Sequence, residues 1–175
     1  MLYKKTRVSV IFFSLMATMS LASCSLFPDP PMYVPPPNDG TVAKVRLLGN
    51  PLTYSISQKK SNGESSGGYV QKHRRFLNII PDSTKSIGMP KLPQGDYSDT
   101  YTEVTVTPGI KTTISHRISN PDGGGCSVSL DFTPNEKGLY EFKYNYSDKS
   151  GYCVLYGNEI KYDSINETYI EEKIK

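Results

Sequence analysis

Between Cys126 and Phe132 the chain alternates without a break: Cys126, Val128, Leu130 and Phe132 fall on one side, Ser127, Ser129 and Asp131 on the other. Period two sends successive side chains to opposite faces of an extended strand, and a helix cannot gather that pattern onto one face. The same period recurs along the chain. Ala43, Val45 and Leu47 alternate with Lys44 and Arg46, and Val104 and Val106 with Glu103 and Thr105. Ile110, Ile114 and Ile118 stand opposite Lys111, Thr113, Ser115 and Arg117. Tyr140, Phe142, Tyr144 and Tyr146 face away from Glu141, Lys143 and Asn145, and Tyr152 to Tyr156 follows across the loop Ser147-Asp148-Lys149-Ser150-Gly151. A sustained apolar 3.6 period is missing, although Ile165, Thr168, Tyr169 and Ile170 allow one short helical turn near the end.

About seven short strands with Gly, Pro and Asn turns predict an all-β chain, a single antiparallel β-sandwich of the immunoglobulin- or transthyretin-like kind. Two stretches read as long loops: the Ser/Gly run from Lys60 to Gly68, and Pro81 to Tyr97. Hydrophobic residues make up 37% and charged residues 21%, which suits one small core and excludes a polytopic membrane protein. The expected organisation is a targeting segment over 1–23, a stem over 24–40, a sandwich over 41–163 and a polar tail over 164–175.

The stem is set by proline. Six of the 13 prolines fall between Pro28 and Pro37, a density that forbids a helix or a sheet interior and favours polyproline II. At about 3.1 Å per residue it reads as a spacer of roughly 30 Å. Ahead of it, Lys4, Lys5 and Arg7 precede a mostly apolar stretch from Val8 to Leu21. That stretch is shorter than the ~20 residues a spanning helix needs, and matches the apolar region of a secretion signal.

The stretch ends in Leu21-Ala22-Ser23-Cys24. Basic start, short apolar run, small residues and Cys together resemble the signal and lipobox of bacterial lipoproteins. The resemblance implies cleavage before Cys24 and acylation of Cys24. Two or more acyl chains anchor a protein stably in one leaflet without a transmembrane helix. Ser25 follows, where Asp is the retention signal for the inner membrane in Gram-negative lipoproteins, so the resemblance implies the outer membrane, with the domain facing the periplasm. Without the three basic residues of the signal, basic and acidic residues balance at 17 each. A neutral domain lacks the electrostatic footprint for nucleic acid.

With Cys24 acylated, Cys126 and Cys153 remain, an even pair in an exported chain, and this implies a disulfide. Zinc is the weaker alternative, since only His73 and His116 could complete a site and no ligand spacing is present. The pattern Cys126-x₅-Phe132-x-Pro134-x₃-Gly138-x-Tyr140, with Cys153 beyond and Ile87-Gly88-Met89-Pro90 upstream, is similar to a group of small proteobacterial lipoproteins. That likeness covers about Lys85 to Tyr156 and implies a fold and a location, not a chemistry.

Catalytic signatures are missing. The sequence holds no G-x-S-x-G, H-E-x-x-H or phosphate loop. His116 shares a side with Ile114 and Ile118 and reads as a rim histidine satisfied by backbone. Asp96, Asp99 and Glu103 lack calcium-loop spacing and read as a solvated loop. No cofactor, metal or catalytic residue is expected. Two features suit binding. Lys72-His73-Arg74-Arg75 could meet an anionic envelope component through Lys72, Arg74 and Arg75, or simply protect an edge strand. Tyr144, Tyr146, Tyr152, Tyr156 and Tyr162 crowd one hairpin region, and exposed tyrosines make low-entropy contacts. The expectation is a non-enzymatic binding or structural module of the cell envelope, with the membrane and an envelope protein or anionic component as partners. The alternative is an inhibitor or immunity protein against a hydrolase that attacks the cell wall.

Overall fold

Each apolar alternation in the sequence becomes a strand, and three further strands form outside those alternations. The computed structural model describes residues 31–49, 53–71, 84–98, 100–119, 125–147 and 151–174. These hold nine strands: β1 Ala43–Leu48, β2 Tyr54–Lys59, β3 Ser65–Tyr69, β4 Tyr101–Val106, β5 Lys111–Ser119, β6 Gly125–Phe132, β7 Leu139–Ser147, β8 Tyr152–Asp163 and β9 Thr168–Lys173. They form two sheets, one ordered β4-β1-β7-β8-β9 and the other β3-β2-β5-β6. The all-β sandwich expected from the alternation is therefore present, with nine described strands where about seven were expected. Its ladders are antiparallel except one: β1 runs parallel to β7, with Lys44 beside Leu139 and Leu48 beside Lys143.

The inner faces meet in one core. Ala43, Val45 and Leu47 of β1, Val104 and Val106 of β4, and Tyr140 and Phe142 of β7 pack against Ile56 of β2, Ile114 of β5 and Phe132 of β6. Fully burying such a side chain is worth about 1.5–3 kcal/mol, so these few positions supply most of the drive to close the sandwich. Gly157 of β8 lies inside this packing, where a Cβ would stand 2.7 Å from the Phe142 ring. A strand glycine here permits close approach by the aromatic neighbour. Cys126 of β6 and Cys153 of β8 join the two sheets as a disulfide, with their Cα atoms 6.3 Å apart.

Four expectations need correction. The stem was expected to stand free over 24–40, but residues 31–40 belong to the folded unit, which begins at Pro31. Met32 bridges to Tyr69, and the buried Tyr33 ring donates its hydroxyl to the Thr105 carbonyl at 2.9 Å. An aromatic among prolines found more apolar area to cover than a free spacer offers. The tail expected over 164–175 is not a frayed end, because β9 pairs with β8 from Asn158 to Asp163, and charged side chains are tolerated on an edge strand. The Lys60–Gly68 loop is a turn followed by β3, whose glycines can lie flat against β2.

The fourth correction concerns the outer face of the five-stranded sheet. Period two placed Arg46, Glu103 and Glu141 there, and the segment Pro81 to Tyr97 read as a long loop. Residues 84–98 instead strap across that face. Met89 and Leu92 of the strap pack on Ile160, Leu139 and Tyr169, forming a second, smaller apolar cluster. Arg46 and Glu103 are completely buried beneath the strap, at 0% exposure each.

Candidate functional site

The strap is fastened by charge. Arg46 Nη2 lies 2.7 Å from Glu103 Oε1, and its Nη1 lies 2.9 Å from Glu141 Oε2. The same guanidinium donates to the Met89 and Pro90 carbonyls at 2.8 and 3.0 Å and to the Tyr97 hydroxyl at 3.2 Å. Glu103 Oε2 accepts the Ile87 N–H at 2.6 Å, the Met89 N–H at 3.2 Å and the Ser86 hydroxyl at 2.9 Å. Burial alone would raise the Glu103 pKa, but the Ile87 and Met89 amides and the Arg46 guanidinium together hold it below the ordinary carboxylate range. Burial likewise opposes the charge on Arg46, yet hydrogen bonds to Glu141 and Glu103 outweigh it and raise its pKa. Both carboxylates are locked to one arginine, and Glu141 Oε2 also accepts the Tyr97 hydroxyl at 3.1 Å. This cluster is a fastening, satisfied from within.

Among the described residues one imidazole meets one hydroxyl. His116 Nε2 lies 2.6 Å from Thr53 Oγ1. The ring stacks on Tyr144 at 3.7 Å between centroids and meets the edge of Tyr54 at 4.5 Å. The expected rim position was wrong: at 3% exposure His116 is part of the core, partnered by a side chain rather than by backbone. Burial lowers its pKa to about 4. Its Nδ1 finds no hydrogen-bond partner among the described residues, so no carboxylate orients the ring. A base this weak, buried and without an orienting group lacks the arrangement of a nucleophile–base–acid relay. No group of three or more His, Cys, Asp or Glu converges on a metal-sized site among the described residues.

A groove of about 590 Å³ opens between the end of β6 and strands β8 and β9, bordered by Lys111, Asp131, Glu159, Lys161 and Glu172. Its size suits a small ligand. Most of its charges are spent on one another: Lys111 pairs with Asp131 at 2.7 Å, and Lys161 with Glu172 at 2.6 Å and Glu159 at 3.3 Å, while Lys173 on its border is in no ion pair among the described residues.

The remaining surface of note is the hairpin β7–β8. In β8, Cys153 and Leu155 turn inward, while Tyr152, Val154 and Tyr156 form one outward row with exposures of 73, 42 and 49%. At about 3.3 Å rise per residue the row spans roughly 13 Å. Beside it on β7 stand Lys143, Asn145 and Ser147, paired with Tyr156, Val154 and Tyr152 respectively. The strap stops short of this end and leaves the row uncovered.

The five tyrosines expected at this hairpin thus divide by strand parity. Tyr152 and Tyr156 share the outward row. Tyr144 points the other way and packs on His116, so it is not a surface contact residue. Tyr146 also has inward parity, pairs with Cys153, and is 41% exposed only because the sandwich ends there. Tyr162 lies at the far end of β8, edge-on to Tyr169 at 5.2 Å. Val154 was missed, and its place between two outward tyrosines was the available signal. Cys24, Lys72, Arg74 and Arg75 lie outside the described residues. No family model, curated protein or solved structure matches the chain.

Proposed function

We propose that this chain is a non-enzymatic lipoprotein of the bacterial outer membrane, anchored through acylated Cys24, whose sandwich docks an envelope protein on the outward row of β8. The observation that carries the docking is the row itself. Tyr152, Val154 and Tyr156 leave large apolar side chains in water on a rigid, disulfide-tied strand, although the neighbouring half of the same face is covered by its own strap. Amphipathic aromatics with few rotatable bonds are the residues that dominate protein interfaces. The anchor rests on the Leu21-Ala22-Ser23-Cys24 motif behind a basic, apolar leader.

Both halves can be tested in one strain. A palmitate analogue fed to the cells labels the wild type and leaves Cys24→Ala unlabelled. Wild-type chain recovers a protein from envelope extract in a way that changes little with salt, and Tyr152→Ser/Tyr156→Ser recovers at least tenfold less while keeping its far-UV circular dichroism. Label on the Cys24→Ala chain overturns the anchor, and undiminished recovery by the double variant overturns the docking surface.

A further inference from the structure

Resting on that docking surface, we propose that the partner binds as an extended strand added to the open half of β8, extending the five-stranded sheet along the lane that β9 occupies further on. The ladder between β8 and β9 begins at Asn158 opposite Lys173, and just beyond it the Ile174 N–H donates to the Gly157 carbonyl at 3.1 Å. In an antiparallel sheet each residue turns both its N–H and its C=O to the same side, and successive residues alternate. The odd-numbered residues of β8 therefore address β9, and the even-numbered ones address β7. Continuing that parity, Cys153 and Leu155 direct two donors and two acceptors into a lane where no strand pairs among the described residues.

Three properties distinguish this edge from an ordinary one. Natural sheet edges are guarded by charge, and β9 is so guarded by Glu171, Glu172 and Lys173, whereas Tyr152-Cys153-Val154-Leu155-Tyr156 carries no charge at all. The edge is also held rigid. Cys153 is fixed by its disulfide to Cys126, and Leu155 is seated in the core at 8% exposure, so little order is lost on pairing. Finally, the unpaired backbone groups and the apolar row lie side by side, the combination that gives strand addition both its affinity and its selectivity.

The geometry also defines the occupant. A donor and an acceptor repeated every second residue are a property of polypeptide backbone, not of a glycan or a lipid. The lane is about five residues long, since β9 closes its far end. Alternate side chains of the incoming strand would lie beside Tyr152, Val154 and Tyr156, which favours branched or aromatic residues there. Register places the exposed Lys173 beside Asn158, at the end of the lane, and it is in no ion pair among the described residues. An acidic residue at the Tyr156 end of the segment would answer it.

The test is site-directed photocrosslinking in the full-length chain in its own envelope, with p-benzoyl-phenylalanine placed singly at positions 152, 154 and 156, and at 145 on β7 as the off-lane control. The expected result is one partner protein, joined at sites two residues apart along one continuous segment, with at least tenfold less product from position 145. A synthetic peptide of that segment should then slow hydrogen exchange of the Cys153 and Leu155 amides at least tenfold. Products scattered over a folded surface of the partner would overturn strand addition and leave the docking reading standing. Products only with lipid, glycan or a second copy of this chain, or no product at all, would overturn both.

Discussion

Acidification from neutral pH should destabilise the folded domain through His116 before its carboxylates contribute. In the native sandwich His116 lies between Tyr54 and Tyr144 at 3% exposure, and burial holds its pKa near 4, against about 6.5 for a solvated imidazole. The unfolded chain therefore takes up a proton over the window from about pH 6.5 to 4 that the native state refuses, and stability falls as pH falls through it. Linkage sets the loss at about 1.4 kcal/mol by about pH 5.5 and about 2.5 kcal/mol by about pH 4.5. Glu103 and Asp131 have lowered native pKa values, so their contributions disappear only as pH drops below the unfolded carboxylate range. The upper part of the window thus isolates the histidine. Urea unfolding followed by far-UV circular dichroism, with the disulfide intact, should give a wild-type stability that declines across this range. His116→Phe keeps the ring contacts and removes the titration, so its stability should stay nearly flat from neutral pH to about pH 5. Parallel declines in the two proteins would refute the assignment.

Arg46→Met leaves Glu103 and Glu141 buried without a counter-charge, and should lower stability by about 3–5 kcal/mol in the same urea assay, with the strap amides of Ile87 and Met89 losing their protection from hydrogen exchange. Reducing the disulfide, which closes a sequence separation of 27 residues, should cost roughly 3–4 kcal/mol; a urea midpoint unmoved by reductant would show that the bridge adds nothing.

Much of the sandwich was legible because its inner faces obey period two. The exposures of Cys126 to Phe132 alternate as the sequence pattern requires. Where legibility failed, the missing information was tertiary. Arg46, Glu103 and Glu141 have the right parity for a solvent face, and only the strap laid over them makes that face an interior. Parity assigns a side and says nothing about what covers it. β9 was hidden by its charges, which read as a polar tail until β8 supplies a ladder. At the candidate site, Tyr152 and Tyr156 could be named from their place on a hairpin. The open edge beside them could not, because it depends on where β9 stops pairing. Tyr144 and Tyr146 were grouped with them by proximity in sequence, though strand parity already separates the pairs.

The parallel contact of β1 with β7 has a consequence for the order in which the fold can form. β1 is the first of the described strands and an interior strand of its sheet, flanked by β4 and β7. Arg46 reaches Glu141 across a sequence separation of 95 residues. Neither the sheet nor the buried ion cluster can be completed until most of the polypeptide is available, so this is a topology of high contact order, which folds slowly. A chain emerging amino terminus first would hold Val45 and Leu47 without their β7 neighbours for most of its synthesis. The same connectivity that closes the mature sheet thus keeps an incomplete chain from closing it early.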